Sequence, residues 1–269
     1  MSAVQLDGDG RMEQRFAFNE VASVYTTSRP GYPDALVDDV VSYACLKPGN
    51  AILEVGCGTG QATRSFAARG FPILAIDPGP EMVREARTAL SQFGNVTLVQ
   101  STFEALSAEP ASFQLIVAAQ SWHWVAPETR FAKAAETLSP RGALAVFGHV
   151  PVGLTAPLLD QFKQLYVRHI DYAGPPPEAW YLPSGPFKGW FDESGVFATV
   201  EHRAYPWKWR HTTSSYTDFL RSRSDHRMIA PATLSALLED IAEAIDGHGG
   251  QFEIDYETHL YIARRLARG

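Results

Sequence analysis

The chain has little cysteine and no long apolar run. Only Cys45 and Cys57 occur among its 269 residues, and two cysteines form neither a disulfide framework nor a metal knuckle. The longest apolar stretches, 115–119 and 143–147, are far shorter than the roughly 18 residues that a membrane-spanning helix needs. These absences exclude a disulfide scaffold and a transmembrane helix, and we predict no metal site.

Basic residues are also too few to dominate the charge. The chain has 23 Lys and Arg against 30 Asp and Glu, a net charge of −7, which argues against general binding to a nucleic-acid backbone and favours a small-molecule partner. The first residues contain Asp7, Asp9 and Glu13 rather than a basic segment followed by an apolar one. We therefore predict no secretory signal and a cytoplasmic location. The oligomeric state, monomer or homodimer, is left open.

The apolar content of 45% is large enough for a substantial core and excludes a disordered chain. After Pro33, short apolar segments alternate with amphipathic ones, which predicts a doubly wound, mostly parallel α/β sheet with helices on both faces. The predicted strands are 51–55, 72–76, 96–100, 113–118 and 143–147, and the predicted helices between them are 61–69, 81–92 and 130–138.

The remaining segments differ in composition from this core. Residues 1–35 are predicted to form an N-terminal extension with a helix over about 15–27, and residues 36–149 form the core. Residues 150–197, rich in proline and aromatic residues, are expected to be an insertion over the mouth of the sheet. Residues 198–269 complete the sheet with an antiparallel edge, through strands at 199–209 and 252–263 and helices at 214–223 and 231–245.

A glycine-rich loop follows the first predicted strand. Gly56, Gly58 and Gly60 let the backbone turn sharply and bring amide groups close to a ligand at a helix N-terminus. A dinucleotide fingerprint would need a third glycine where Gln61 stands. Glu54, at the end of the strand, would oppose a pyrophosphate but can face an ammonium group. The loop therefore favours a cationic cofactor.

The segment Glu54-Val55-Gly56-Cys57-Gly58-Thr59-Gly60 resembles motif I of class I S-adenosylmethionine (SAM)-dependent methyltransferases. The resemblance implies a seven-stranded Rossmann-like sheet, SAM as cofactor and S-adenosylhomocysteine as product. It places Asp77, at the end of the second strand, on the two ribose hydroxyls. The other cofactor contacts that we expect from it are Tyr25, Arg29, Pro78, Met82, Thr102, Phe103, Gln120, Ser121 and Trp122.

Two further motifs resemble the trans-aconitate methyltransferase-like branch of this family. They are Tyr25-x-x-x-Arg29-Pro-x-Tyr-Pro and the run Trp122-His123-Trp124. Many family members carry an acid at the end of the third strand, where this chain has Thr102 and Phe103, so a hydroxyl or backbone group would have to substitute. The residues that we expect to contact the substrate are Tyr32, Trp124, His149 and Arg221.

His123 is the candidate catalytic residue. It could act as a general base, or it could pack between its neighbouring tryptophans and shape the pocket, and the sequence leaves both roles open. We expect methyl transfer to a small molecule, with O-methylation of a carboxylate or hydroxyl ahead of N- or C-methylation. A SAM-binding protein without transferase activity is the alternative.

Overall fold

A computed structural model describes residues 29–154, 156–170 and 177–267 of the chain. Seven strands form one sheet in the order β3-β2-β1-β4-β5-β7-β6. The first five strands run parallel, and β7 is antiparallel to both β5 and β6. The predicted α/β fold with an antiparallel edge is confirmed. The strands are β1 (Ile52–Val55), β2 (Ile73–Asp77), β3 (Val96–Gln100), β4 (Phe113–Ala119), β5 (Leu138–Leu154), β6 (Glu201–Thr212) and β7 (Gln251–Arg264).

Helices cover both faces of the sheet, because alternate strand residues point to opposite sides. Leu53 and Ile116 belong to one apolar cluster, whereas their neighbours Ile52 and Leu115 belong to another. The helices are α1 (Asp34–Tyr43), α2 (Gln61–Ala67), α3 (Pro80–Ala89), α4 (Pro127–Thr137), α5 (Ala156–His169), α6 (Phe187–Ser194), α7 (Thr213–Arg221), α8 (Ser224–Arg227) and α9 (Pro231–Gly247), with 3-10 turns at Trp122–Trp124 and Pro177–Tyr181. None of the helices within the described ranges is long and apolar enough to cross a bilayer.

The strand β5 is longer than the sequence predicts. It continues through Pro151 to Leu154, beyond Phe147, where its pairing with β4 ends. Past that point it pairs with β7 alone, and the register shifts between Pro151 and Gly153. Proline is tolerated there because it lies at a bulge on a stretch with one paired neighbour.

The segment between β5 and β6 is therefore shorter than the predicted insertion, and it contains α5, the second 3-10 turn and α6. These elements pack on the sheet, and Tyr181, Phe187 and Phe191 are fully buried in the larger apolar cluster. The predicted helix over 15–27 and Tyr25 lie outside the described residues. The division of the chain into four parts stays a prediction.

Candidate functional site

The glycine loop lies at the carboxyl ends of β1, β2 and β4. The amides of Gly56 and Cys57 both donate to the Ile76 carbonyl, at 2.8 and 2.9 Å. Gly56 has φ +69°, and a Cβ there would lie 2.5 Å from Ser121 Cβ. At Gly60, with φ +93°, a Cβ would lie 2.7 Å from Leu90 Cδ1. Both glycines are required by backbone conformation and by lack of space, and the loop is thereby pressed against the end of β4.

Asp77 ties this loop to the turn after β2. Its Oδ2 accepts from the Gly58 amide at 2.9 Å, and its Oδ1 accepts from the Gly79 amide at 2.8 Å. An ionised carboxylate has about four acceptor sites. Asp77 can therefore hold the loop in place and still accept hydrogen bonds from a pair of hydroxyls.

The loop and Asp77 border an open cleft of about 680 Å³, which we call the main cleft. Its walls combine loop backbone and Asp77 with buried apolar side chains such as Met82 and Phe103. Nine of the residues predicted to bind cofactor or substrate line it: Gly56, Gly58, Asp77, Pro78, Met82, Phe103, Gln120, Ser121 and Trp124.

A second cavity, the side pocket, lies on the other side of the glycine loop and has about 360 Å³ of space. It shares Gly56, Gly58, Ala119 and Gln120 with the main cleft. The predicted residues that line the side pocket but not the main cleft are Arg29, Tyr32, Glu54 and Cys57. Eleven of the fifteen residues that the sequence predicts to bind the cofactor therefore line one of these two cavities.

Glu54 is a buried carboxylic acid at the side pocket. It is 1% exposed, and neither carboxylate oxygen makes a hydrogen bond. Burial raises the pKa of Glu54 to about 8; Thr63 lies close enough to oppose this shift, and the charge of Asp77 adds to it. The group is mostly protonated at neutral pH, and a cation entering the side pocket would favour its ionised form.

A third, partly open pocket, the inner pocket, is bounded by Arg29, β5, the second 3-10 turn, β6 and β7, with about 290 Å³ of space that includes open solvent. Gln120 lines all three cavities, so it marks their junction. It has left-handed backbone, φ +55°, and its Oε1 accepts from Tyr32 Oη at 3.5 Å. Strained non-glycine residues of this kind cluster at functional sites. The inner pocket is lined by Arg29, Pro30, Gln120, His149, Pro151, Glu178, Trp209, Phe219, Arg223 and Tyr256.

Two arginines reach the inner pocket. Arg29 donates to the hydroxyl and the carbonyl of Ser222, both at 3.2 Å, and its guanidinium lies 4.9 Å from the centre of the Phe219 ring. Arg223 is paired with Glu178 at 2.8 Å and Asp225 at 2.6 Å. Burial alone would lower the pKa of Arg223, but these two carboxylates raise it well above its usual value, so it stays charged.

His123 does not line any of the three cavities. It is buried, with Nδ1 3.5 Å from Tyr181 Oη and its ring packed against Trp124 and Trp180. Trp122, also predicted to bind cofactor, is fully buried against Phe103. The geometry therefore favours the packing role for His123 over the role of general base.

Three other predicted residues, Gly60, Thr102 and Arg221, also line none of the three cavities. Thr102 uses its hydroxyl to accept from the Ala105 amide at 3.1 Å, and the neighbouring Ser101 lines the main cleft instead. Arg221 is half exposed and pairs with Asp218 at 2.9 Å. Arg223, two residues further along, enters the inner pocket in its place.

Sequence reasoning missed several aromatic residues of the inner pocket. Trp209 and Tyr256 lie on the two strands of the antiparallel edge, where inward and outward residues alternate. Apolar residues alternate with charged ones at Trp207, Trp209 and Tyr256. That period-two pattern was the available signal, but it did not reveal which cavity the face would border.

Comparisons with known proteins agree with this geometry. Residues 52–142 match a family model described as "Methyltransferase domain". An uncharacterized methyltransferase of Mycobacterium tuberculosis H37Rv is 32% identical over 136 residues, 51% of this chain and 53% of the relative. A methyltransferase-like protein of Schizosaccharomyces pombe is 32% identical over 123 residues, 45% of this chain and 47% of the relative. The chain thus spans about half the length of these curated relatives.

Solved structures share the fold. A protein proposed to be a type II methyltransferase from Anaeromyxobacter dehalogenans superposes with a TM-score of 0.65 at 21% identity, over 89% of this chain and 99% of that one. Phosphoethanolamine N-methyltransferase 2 of Haemonchus contortus, solved with phosphomonomethylethanolamine and S-adenosylhomocysteine, superposes with a TM-score of 0.53 at 14% identity. That match covers 98% of this chain and 58% of the other.

The sheet order, the glycine loop and the acid at the end of β2 define a methyltransferase fold of class I. Residues 52–142 match the methyltransferase-domain model, and this match together with the shared fold supports a class I SAM-dependent methyltransferase domain in this part of the chain, with SAM as its cofactor. The residues present fit this cofactor. Asp77 offers acceptors for hydroxyls, the main cleft has apolar walls, and the buried Glu54 carboxyl, which lacks a hydrogen bond, suits an ammonium group.

Proposed function

We propose that this protein transfers the methyl group of SAM to an oxygen of a small molecule, most readily a carboxylate. The observation that carries the proposal is the junction at Gln120, where the main cleft and the side pocket meet the inner pocket. A cofactor bound around the glycine loop would then lie next to a small pocket lined by aromatic and charged side chains. That cavity suits a metabolite better than a polymer.

The predicted cofactor contacts divide between the two cavities that flank the loop. In this proposal Asp77 accepts hydrogen bonds from the ribose hydroxyls, and Met82 and Phe103 pack against the adenine. Glu54 faces the ammonium group of the methionine part, and the positive charge of Arg29 lies near its carboxylate. The contact supporting this division is the pair of hydrogen bonds that Asp77 accepts from Gly58 and Gly79.

Bound SAM supplies an electrophilic methyl group on a sulfonium. The protein excludes water from the acceptor and orients the acceptor in line with the methyl group. The aromatic walls at Trp209, Phe219 and Tyr256 support the exclusion of water. A carboxylate is already ionised at neutral pH, so it needs no base, which agrees with the position of His123 outside the cavities. We propose Tyr32 and His149 as acceptor contacts.

The test is a transfer assay with methyl-labelled SAM and pools of small metabolites, analysed by mass spectrometry. We expect S-adenosylhomocysteine to form together with a labelled small-molecule ester or ether. Labelled amines or carbon-methylated products would favour N- or C-methylation, and labelled RNA or DNA would contradict the proposal. SAM binding without S-adenosylhomocysteine from any pool would indicate a binding protein.

Asp77→Ala is the matched loss-of-binding variant for this assay. Removing the Asp77 carboxylate should weaken SAM affinity, measured by calorimetry, by at least about tenfold. The two hydrogen bonds from the ribose to a charged acceptor and the anchoring of the loop are lost together. Asp160→Ala serves as control, since Asp160 is an exposed acid paired with Lys163 on α5. Unchanged affinity in Asp77→Ala would contradict the ribose assignment.

A further inference from the structure

One imidazole of the inner pocket is held from one side by a chain of hydrogen bonds. His149 lies on β5, is 5% exposed, and has Nδ1 2.8 Å from Thr258 Oγ1 on β7. Trp207 Nε1, on β6, donates to the same Thr258 oxygen at 3.0 Å. His149 Nε2 is buried and makes no hydrogen bond. Three strands thus converge on a single threonine hydroxyl.

The hydrogen bonds among Trp207, Thr258 and His149 determine which nitrogen of the imidazole carries the proton. An indole N–H can only donate, so Trp207 uses a lone pair of Thr258 Oγ1. The single hydroxyl proton of Thr258, which is fully buried, has His149 Nδ1 as its acceptor among the described residues. If Nδ1 carried the proton instead, the hydroxyl proton of Thr258 and the lone pair of Nε2 would both be buried without a partner, which is costly. The Nε2–H form leaves only the Nε2 proton, and the Gly31 carbonyl lies near the ring. Nδ1 is therefore the acceptor, and the proton of the neutral ring is on Nε2.

The ring is neutral and its orientation is fixed. Burial lowers the pKa of His149 to about 3, the charge of Arg29 acts in the same direction, and the nearby Gly31 carbonyl opposes them. The imidazole stacks on Tyr32, with ring centres 4.4 Å apart, and meets the edge of Trp207 at 4.9 Å. His149 at physiological pH is thus an N–H donor that is fixed in place, and it has no free nitrogen with which to accept a proton.

We propose that Trp207 and Thr258 hold His149 as its Nε2–H form, so that the inner pocket offers the methyl acceptor a neutral donor and selects an oxygen acceptor over an amine. This inference rests on the proposed function for the identity of the ligand. His149 lines the inner pocket with Nε2 buried, so the proposal requires a ligand to displace the part of the wall that covers Nε2.

The charged groups of the inner pocket, Arg29, Glu178 and Arg223, act in the same direction. Arg29 is a donor only. Glu178 is the carboxylate of this pocket, and Arg223 contacts both of its oxygens, at 2.8 and 3.3 Å. An amine entering the pocket would have to compete with Arg223 for Glu178. A carboxylate or carbonyl oxygen would instead meet the donors His149 and Arg29.

The first test is long-range proton–nitrogen NMR of the full chain labelled with nitrogen-15. The chain has eight histidines, and the His149 signals are assigned by their loss in His149→Gln. We expect Nδ1 in the unprotonated range and Nε2 in the N–H range between pH 6 and 8. A proton on Nδ1, or a charged ring, would overturn the proposal whether or not the protein binds SAM.

Two variants at one position test the origin of this preference. Thr258→Ser keeps the hydroxyl and should keep the Nε2–H pattern. Thr258→Val has a similar shape but no hydroxyl, so we expect Nδ1–H to become populated. A spectrum that is unchanged in Thr258→Val would show that the threonine does not position the imidazole.

The role in ligand choice is tested with benzoate and benzylamine, which share a ring and differ in the polar group. With the protein saturated in S-adenosylhomocysteine, benzoate should shift the His149 Nε2–H signal and benzylamine should not. His149→Phe, which can still stack on Tyr32, should weaken benzoate binding by about fivefold. A benzoate response no larger than the benzylamine response would overturn the role in selection. A separate SAM titration reports on the proposed function itself.

Discussion

At the scale of single residues, Gly56 carries two constraints that can be separated by experiment. Its φ of +69° disfavours any side chain, and a Cβ would collide with Ser121. Gly49 has φ +86° and open space around it. We expect Gly49→Ala to cost about 1 kcal/mol, from backbone strain alone, and Gly56→Ala to cost clearly more. Urea unfolding of both variants measures the difference.

The same pair of variants tests the position of the cofactor. Gly56→Ala should also abolish SAM binding in calorimetry, because the loop must move away from Ser121 to make room. Gly49→Ala, far from the main cleft in the chain and not among its lining residues, should bind SAM normally. Equal losses of stability in the two variants would show that the contact with Ser121 is easily relieved.

The raised pKa of Glu54 leads us to expect that SAM binding releases a proton. Burial raises the pKa of the free carboxyl to about 8, so it is mostly protonated at pH 7. A bound cation favours the ionised form, and close to one proton should leave per SAM bound. Calorimetry at pH 7 in two buffers of different ionisation enthalpy measures this number. Glu54→Gln should bind SAM without the release, and an equal release in Glu54→Gln would assign the proton to another group.

At the scale of elements, the sequence predicts the core well because each signal there is local. Buried strands such as β1 and β4 are short apolar runs, and the helices between them show a clear period. The loop glycines follow the end of β1, and Asp77 ends β2. The position of the cofactor loop can therefore be predicted from residues that are close in sequence. The boundaries differ by a few residues, as at α3, which starts at Pro80 rather than Glu81.

The antiparallel side is predicted less completely because its pairings are long-range. Pro151 argues against a strand, yet β5 continues past it through pairing with β7. The inner pocket is formed by residues that are distant in sequence, such as Arg29, His149 and Tyr256. Nothing in the local pattern shows that Arg223 rather than Arg221 faces inward. That choice depends on where α7 ends, at Arg221, and on the partner Glu178.

The second 3-10 turn is attached to the segment after α7 through Arg223. Removing one partner of a buried ion pair leaves the other charge unpaired, which costs about 3–5 kcal/mol. We therefore expect Arg223→Ala to lower the free energy of unfolding by about that amount. Arg221→Ala removes the same side chain from a half-exposed pair with Asp218 and should cost less than about 1 kcal/mol. Similar losses would contradict the assigned role of Arg223.

The ion pair between Arg223 and Asp225 makes the stability of the protein depend on pH. Burial would raise the pKa of Asp225, but Arg223 and His226 hold it well below its ordinary value of 3.8. The native state thus binds fewer protons than the unfolded state, and the contribution is complete above that value and is lost as the pH falls below it. Asp225→Asn should lose less stability than the parent protein between pH 7 and pH 3. Urea unfolding at both pH values checks this.

In the whole molecule, the three cavities, which share Gln120, together extend from the parallel half of the sheet to its antiparallel half. The main cleft belongs to the parallel half of the sheet, and the inner pocket belongs largely to the antiparallel half. The net charge of −7 does not describe the charge inside these cavities. In the proposed function Arg29 and His149 supply donors at the inner pocket, which would let an anionic small molecule bind locally against the overall charge.

A SAM site and a dinucleotide site differ in which ligand stabilises the folded protein. A ligand that binds only the folded state stabilises it by RT ln(1 + [L]/Kd), about 2.7 kcal/mol at one hundred times Kd. We expect SAM to raise the midpoint of urea unfolding in a concentration-dependent way and NAD at equal concentration to leave it unchanged. The chain has Gln61 where the dinucleotide loop needs glycine. An equal shift with NAD, or the same SAM shift in Asp77→Ala, would contradict the assignment of the main cleft to SAM.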